Sequence, residues 1–278
     1  MAISDTQALI PSDRCSLVGL LAPYGDEGAA RGRLLLDEGW TRRWTSSWLV
    51  GEGKVSWPLR DMGSVPMLSS RPFRGFTWRA KQKHRPGLQF MVSTGRHHAF
   101  ESLEEQRLLL ALDFLGVREV LPQPFELGFD HVGGRGRHIP DFLAVMPDGM
   151  VLFDVRPAGR IGEDDQLKFD AAALAAQSCG WHYAVVTGWR QHVHVVLDHL
   201  SSQRRPLQDQ LGLQPQLIEP LRSGPVPFGE LVERTSLPAV ARAHATHLLW
   251  HRGLGVDLGV PLGDRSPVWL AQAQSGRQ

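Results

Sequence analysis

Apolar and polar positions follow two different periods along the middle of this chain. Residues 101–115 (ESLEEQRLLLALDFL) carry apolar Leu103, Leu108, Leu110, Leu112 and Leu115, a broad buried face that predicts a helix. Ser102 stands at its N-cap, Glu105 follows three residues later in the capping-box position, and Gly116 stops it. Residues 117–129 give strand signals around Pro122 and Pro124. Residues 138–146 (HIPDFLAVM) and 150–155 (MVLFDV) predict two strands joined by a turn at Pro147-Asp148-Gly149, a hairpin that ends at Pro157. Residues 163–178 predict a helix with an acidic first turn and an alanine-rich face, ended by Gly180. Residues 182–187 (HYAVVT) predict a short buried strand. This order of helix, strands, hairpin, helix and strand predicts an α/β core with a central mixed sheet flanked by helices.

The flanks read differently. Trp40, Trp44 and Trp48 recur every four residues, but Thr41, Thr45, Ser46 and Ser47 intervene, so 38–60 reads as short strands with turns and the tryptophans as core or platform. The Gln-, Pro-, Arg- and Ser-rich stretch 201–227 reads as a linker. Residues 228–236 and 238–251 predict two helices broken at Leu237-Pro238, and 253–268 a β-hairpin, together a winged-helix-like domain. The expected organisation is a basic, Trp-rich, β-rich N-terminal region over 1–95, a core over 96–200, a linker over 201–227 and the winged-helix-like domain over 228–278.

Composition narrows the class. The 278 residues are 42% hydrophobic and 21% charged, as in an ordinary globular protein. Two cysteines, Cys15 and Cys179, cannot build a disulfide framework, which predicts a reducing, cytoplasmic setting. No apolar run reaches about 18 residues, so no membrane-spanning segment is expected. The net charge of +1 hides an asymmetry: +6 over residues 1–100, −7 over 101–200 and +2 beyond. Between Asp61 and Glu101 there is no acidic residue, while Arg71, Arg74, Arg79, Lys81, Lys83 and Arg85 stand beside Phe73, Phe76 and Trp78. This is either a DNA-backbone footprint or a solvated face.

The acidic middle suggests metal chemistry. On a strand, Asp154 and Arg156 share a face, and Asp141 on the neighbouring hairpin strand brings a second carboxylate beside Asp154. Such a pair, with Glu105 from the helix and the Val155 carbonyl, suits Mg²⁺, which favours carboxylates, water and phosphate oxygens. Taken singly, each has a plainer reading: a turn at Pro140-Asp141, a cap at Glu105, a surface pair at Asp154-x-Arg156. His138, three residues before Asp141, is expected to face away from the site. The remaining histidines form no zinc pattern.

These residues carry a resemblance. Glu101-Ser102-Leu103-Glu104-Glu105, Gln123-Pro124-Phe125, His138-Ile139-Pro140-Asp141-Phe142-Leu143, Phe153-Asp154-Val155-Arg156-Pro157 and Gly180-Trp181 resemble the TnsA-like endonuclease subunits of heteromeric transposases, within the PD-(D/E)xK nuclease superfamily. The resemblance covers roughly residues 95–190. It implies a restriction-endonuclease-like core and an Mg²⁺-dependent DNA endonuclease, with Mn²⁺ as a substitute ion, cleaving double-stranded DNA at transposon ends. It also implies a separate transposase subunit and an ATPase regulator as partners. Glu105, Asp141 and Asp154 take the positions of the family's catalytic and metal-binding carboxylates.

Arg156 departs from the pattern, because the superfamily usually has lysine there. Arginine stays charged and cannot act as a general base, although it can hold a phosphate. Lys168 is the sole lysine beyond residue 83 and is a possible substitute; its plainer reading is a helix-surface pair with Asp164. Two alternatives stand beside the leading one: a restriction-type nuclease or resolvase acting alone, and a decayed DNA-binding adaptor.

Overall fold

A computed structural model describes residues 9–75 and 86–272, which fold as a mixed α/β protein with several open, mostly antiparallel sheets and no closed barrel among the described residues. Two compact units emerge: Ala22–Gly188, and a second formed by the chain up to Leu21 together with that from Trp189 on.

The first unit contains β1 (Thr45–Val50), β2 (Gly53–Pro58), β3 (Ser70–Arg71), the hairpin β4 (Gly87–Met91) and β5 (Arg96–Phe100), helix α1 (Leu103–Phe114), β6 (Glu119–Pro122), β7 (Glu126–His131), β8 (Gly134–His138), β9 (Phe142–Met146), β10 (Gly149–Val155), helix α2 (Glu163–Ser178) and β11 (His182–Val186). One sheet runs β11-β10-β9-β6, with β10 and β11 parallel and the other pairs antiparallel. A second runs β2-β1-β7-β8, with β3 also on β1. Because β1 pairs with β7, chain from before and after residue 95 shares one sheet.

Local chemistry explains the elements that position the site. At the start of α1, the Glu105 amide donates to Ser102 Oγ at 3.2 Å, the first bond of the expected capping box, but Glu105 reaches back to the Ser102 hydroxyl at 2.9 Å and the Glu101 amide instead of the Ser102 amide. Gly116, at φ 74°, supplies the left-handed turn that ends the helix. Leu108, Leu110, Leu112 and Leu115 are buried as expected, but Leu103 is exposed. The β9–β10 hairpin forms around Pro147-Asp148, with Met146 opposite Gly149. Trp44 and Trp48 are fully buried in a core with Phe125, Phe129, Leu143, Leu152, Leu167 and Ala171, so they are core and not platform.

The strand expected over 138–146 is two strands in two different sheets. His138 ends β8, Phe142 begins β9, and Ile139-Pro140-Asp141 links them. Pro140 has no N–H to give a ladder, which favours the break there.

In the second unit, α3 (Val193–Ser201), α4 (Leu213–Ile218), α5 (Phe228–Glu233) and α6 (Pro238–Trp250) are joined by a small sheet in the order β12 (Val226–Pro227), β14 (Pro267–Leu270), β13 (Leu254–Gly255). The stretch expected as a linker holds α4. Its Leu213, Leu217 and Leu221 are buried, and Asp209 accepts the Leu213 and Gln214 amides, each at 2.8 Å. No helix among the described residues is long and apolar enough to cross a membrane.

Candidate functional site

The sequence-predicted carboxylates meet where α1, β9 and β10 converge in the first unit. The β9–β10 register, Phe142 opposite Phe153, sets Asp141 across from Asp154. The Val155 amide donates to Asp141 Oδ2 at 2.7 Å, and the Asp141 amide donates to the Phe153 carbonyl at 2.9 Å. Asp141 Oδ1 has no hydrogen-bond donor among the described residues. Although Asp141 keeps some exposed surface, the protein packed round it desolvates its carboxyl. Burial, with the neighbouring Asp154 and Glu105 charges, pushes its pKa well above the usual carboxylate range. Burial also raises Glu105, against the opposing pull of the Glu101 amide, which donates to its Oε2 at 2.8 Å, and of the Ser102 hydroxyl.

Asp154 is almost wholly buried, and each of its oxygens has a protein donor within reach. His138 Nε2 lies 2.8 Å from Oδ1, and the Tyr183 hydroxyl donates to Oδ2 at 2.7 Å. Here the expectation for His138 is corrected: it faces the site. Strand alternation does not carry from 138 to 141, because these residues end one strand and lead into another. Tyr183 was not singled out from the sequence. Its signal is the parallel β10–β11 register, which pairs it with Leu152 on the Asp154 face. Burial, with Asp154 beside it, raises the Tyr183 hydroxyl well above its ordinary value.

Arg156 lies apart from the carboxylates. It is half-exposed, with its guanidinium 3.4 Å from Asp165 Oδ2 and its Nε donating to the Arg160 carbonyl at 3.2 Å. Lys168 sits on α2, part-buried, and pairs neither with Asp164 nor with Asp141 or Asp154. In the basic segment, Arg71 lies 4.0 Å from Glu52 and Arg74 2.7 Å from Glu101. Arg79, Lys81, Lys83 and Arg85 lie outside the described residues.

The donor set suits a hard divalent ion in chemistry and charge. It offers an open carboxylate oxygen on Asp141 and crowded negative charge, which the nearby Arg74 guanidinium offsets only in part. It is not a closed cage: among the described residues no three or more His, Cys, Asp or Glu side chains are arranged to hold a metal. Both Glu105 oxygens accept hydrogen bonds at the start of α1, and the two Asp154 oxygens lie against His138 and Tyr183. A cavity of about 330 Å³ also opens in this unit, but none of Glu105, His138, Asp141 or Asp154 lines it. In the second unit, His247 and His251 bond the Gln203 and Arg204 carbonyls. No protein-family model matches the chain, and no curated protein matches it in sequence.

Proposed function

We propose that the chain is a metal-dependent DNA endonuclease subunit of a heteromeric transposase, cutting DNA strands at transposon ends. The observation that carries this reading is the convergence of Asp141, Asp154 and Glu105, where burial and then the neighbouring charges lift the Asp141 pKa. Buried like charges are stabilised by a proton or a cation. The succession α1, β6, β9, β10, α2, β11, with carboxylates at the β9–β10 strand ends, supports a restriction-endonuclease-like core. The helices α5 and α6 followed by β13 and β14 support a winged-helix-like tail.

In this reading Asp141 would hold Mg²⁺, with Asp154 and Glu105 adding charge. The bound ion supplies Lewis-acid stabilisation of phosphate charge and lowers the pKa of a water. The chain's own residues do the rest. The Val155 amide fixes Asp141, Ser102 fixes Glu105, and the basic segment 71–85 with Arg156 offers cations to the DNA backbone.

Calorimetry of Mn²⁺ into the full chain, beside Asp141→Ala, tests the reading. Uptake by the wild type and its loss in the variant are expected, followed by Mg²⁺-dependent nicking once a transposase partner is added. No uptake by the wild type, with or without duplex DNA, sinks it. One observation favours a second reading, a decayed DNA-binding adaptor: Arg156 replaces the usual lysine and is drawn to Asp165. That reading expects duplex binding without ion uptake.

A further inference from the structure

We infer that His138 and Tyr183 form a two-sided clamp on Asp154, making both of them positioning residues of the proposed endonuclease site. The inference rests on the reading above and adds two residues that the motif does not contain. Their donors lie 2.8 and 2.7 Å from opposite oxygens of one buried carboxylate. Two short bonds from opposite sides fix both the position of the carboxylate and the rotation of its plane.

The clamp draws on three strands. His138 comes from the end of β8 in one sheet, while Asp154 on β10 and Tyr183 on β11 belong to the other. His138 is braced in turn by Phe169 of α2, whose ring stands edge-on at 6.4 Å, and Phe169 is met edge-on by Tyr24 at 6.3 Å. A buried polar cluster of this kind adds little net stability compared with apolar packing, so its value lies in orientation. A carboxylate has about four lone-pair sites, and the clamp uses two of them. Asp154 therefore presents its remaining lone pairs in a fixed direction to an ion beside Asp141.

The test is Mn²⁺ calorimetry on full-length wild type, His138→Ala, His138→Gln and Tyr183→Phe, with folding checked by circular dichroism. Loss of an outer partner of a metal-binding carboxylate lowers metal affinity roughly 10–100-fold. That loss is expected for His138→Ala and Tyr183→Phe, with His138→Gln, which keeps a donor, recovering most of it. In DNA nicking, kcat is expected to fall with KM unchanged. Should His138→Ala fail to fold, Tyr183→Phe, which removes a single hydroxyl, decides the matter. Wild-type affinity in His138→Ala and Tyr183→Phe overturns the clamp and leaves the endonuclease reading intact. Equal losses in the Ala and Gln variants reduce His138 to packing and also overturn it. A wild type that takes up no Mn²⁺ overturns both.

Discussion

The Val155 amide points its proton at Asp141 Oδ2 across 2.7 Å, tying the carboxylate before β9 to the end of β10. This bond holds Asp141 beside Asp154, the residue that repels it, so the fold keeps together two groups that electrostatics would separate.

The first prediction follows from that tension. The folded-state pKa of Asp141 lies above its unfolded value, so the native protein holds more protons than the unfolded chain between the two values. Stability therefore falls as pH rises through that window. Asp141→Asn keeps an acceptor for Val155 and removes the charge. It is expected to raise Tm at pH 7–8, by roughly 2–4 °C per kcal/mol of repulsion relieved. The gain should vanish below about pH 4, where the carboxyl is protonated in both states. If the proposed ion site exists, the variant is expected to take up no ion at any pH. Melting curves of the two proteins across pH check this, and parallel profiles refute it.

Trp48 tests the core. Its ring is fully buried with its centroid 4.7 Å from that of Phe125, and its Nε1 has no hydrogen-bond partner among the described residues. Trp48→Ala is expected to cost about 3–5 kcal/mol in denaturant unfolding. Trp48→Phe forfeits no hydrogen bond and should cost much less.

Asp170 staples the segment before β1 to α2, accepting the Gly28 and Ala30 amides at 2.8 and 2.7 Å. Ala30 is buried, so Asp170→Ala strands a donor away from water, at about 1–3 kcal/mol. Hydrogen exchange should accelerate first at these two amides. Unchanged protection there would show that the staple is redundant.

The basic segment divides into two kinds of arginine. Arg71 and Arg74 already face Glu52 and Glu101, so their charges are partly spent within the protein. Charge reversal at Arg79 and Lys81 is expected to lower duplex affinity and flatten its salt dependence. Reversal at Arg74 should do so less. Fluorescence anisotropy over a salt series separates these outcomes, and an unaltered slope for the Arg79/Lys81 variant removes the segment from the DNA surface.

The local parts of this architecture were legible in the sequence and the non-local parts were not. Ser102 and Glu105 announce the start of α1 because a side-chain cap is read within four residues. The β9–β10 hairpin is equally local. The pairing of β1 with β7 joins residues some eighty positions apart, and no periodicity encodes that distance. The orientation of His138 is hidden for a related reason: alternation is a property of one strand, and the chain changes sheets between 138 and 142. Leu213, Leu217 and Leu221 did carry a helical spacing of four, but the glutamines and prolines around them suggested a linker.

Glu105 closes the cap of α1 with the same two oxygens that the proposed chemistry would recruit. An ion claiming either oxygen competes with the Ser102 hydroxyl or the Glu101 amide. Occupancy of the site and tautness of the first turn of α1 are then opposing quantities. Loading the proposed site would loosen that turn, and a chain with a stiffer turn would load less readily.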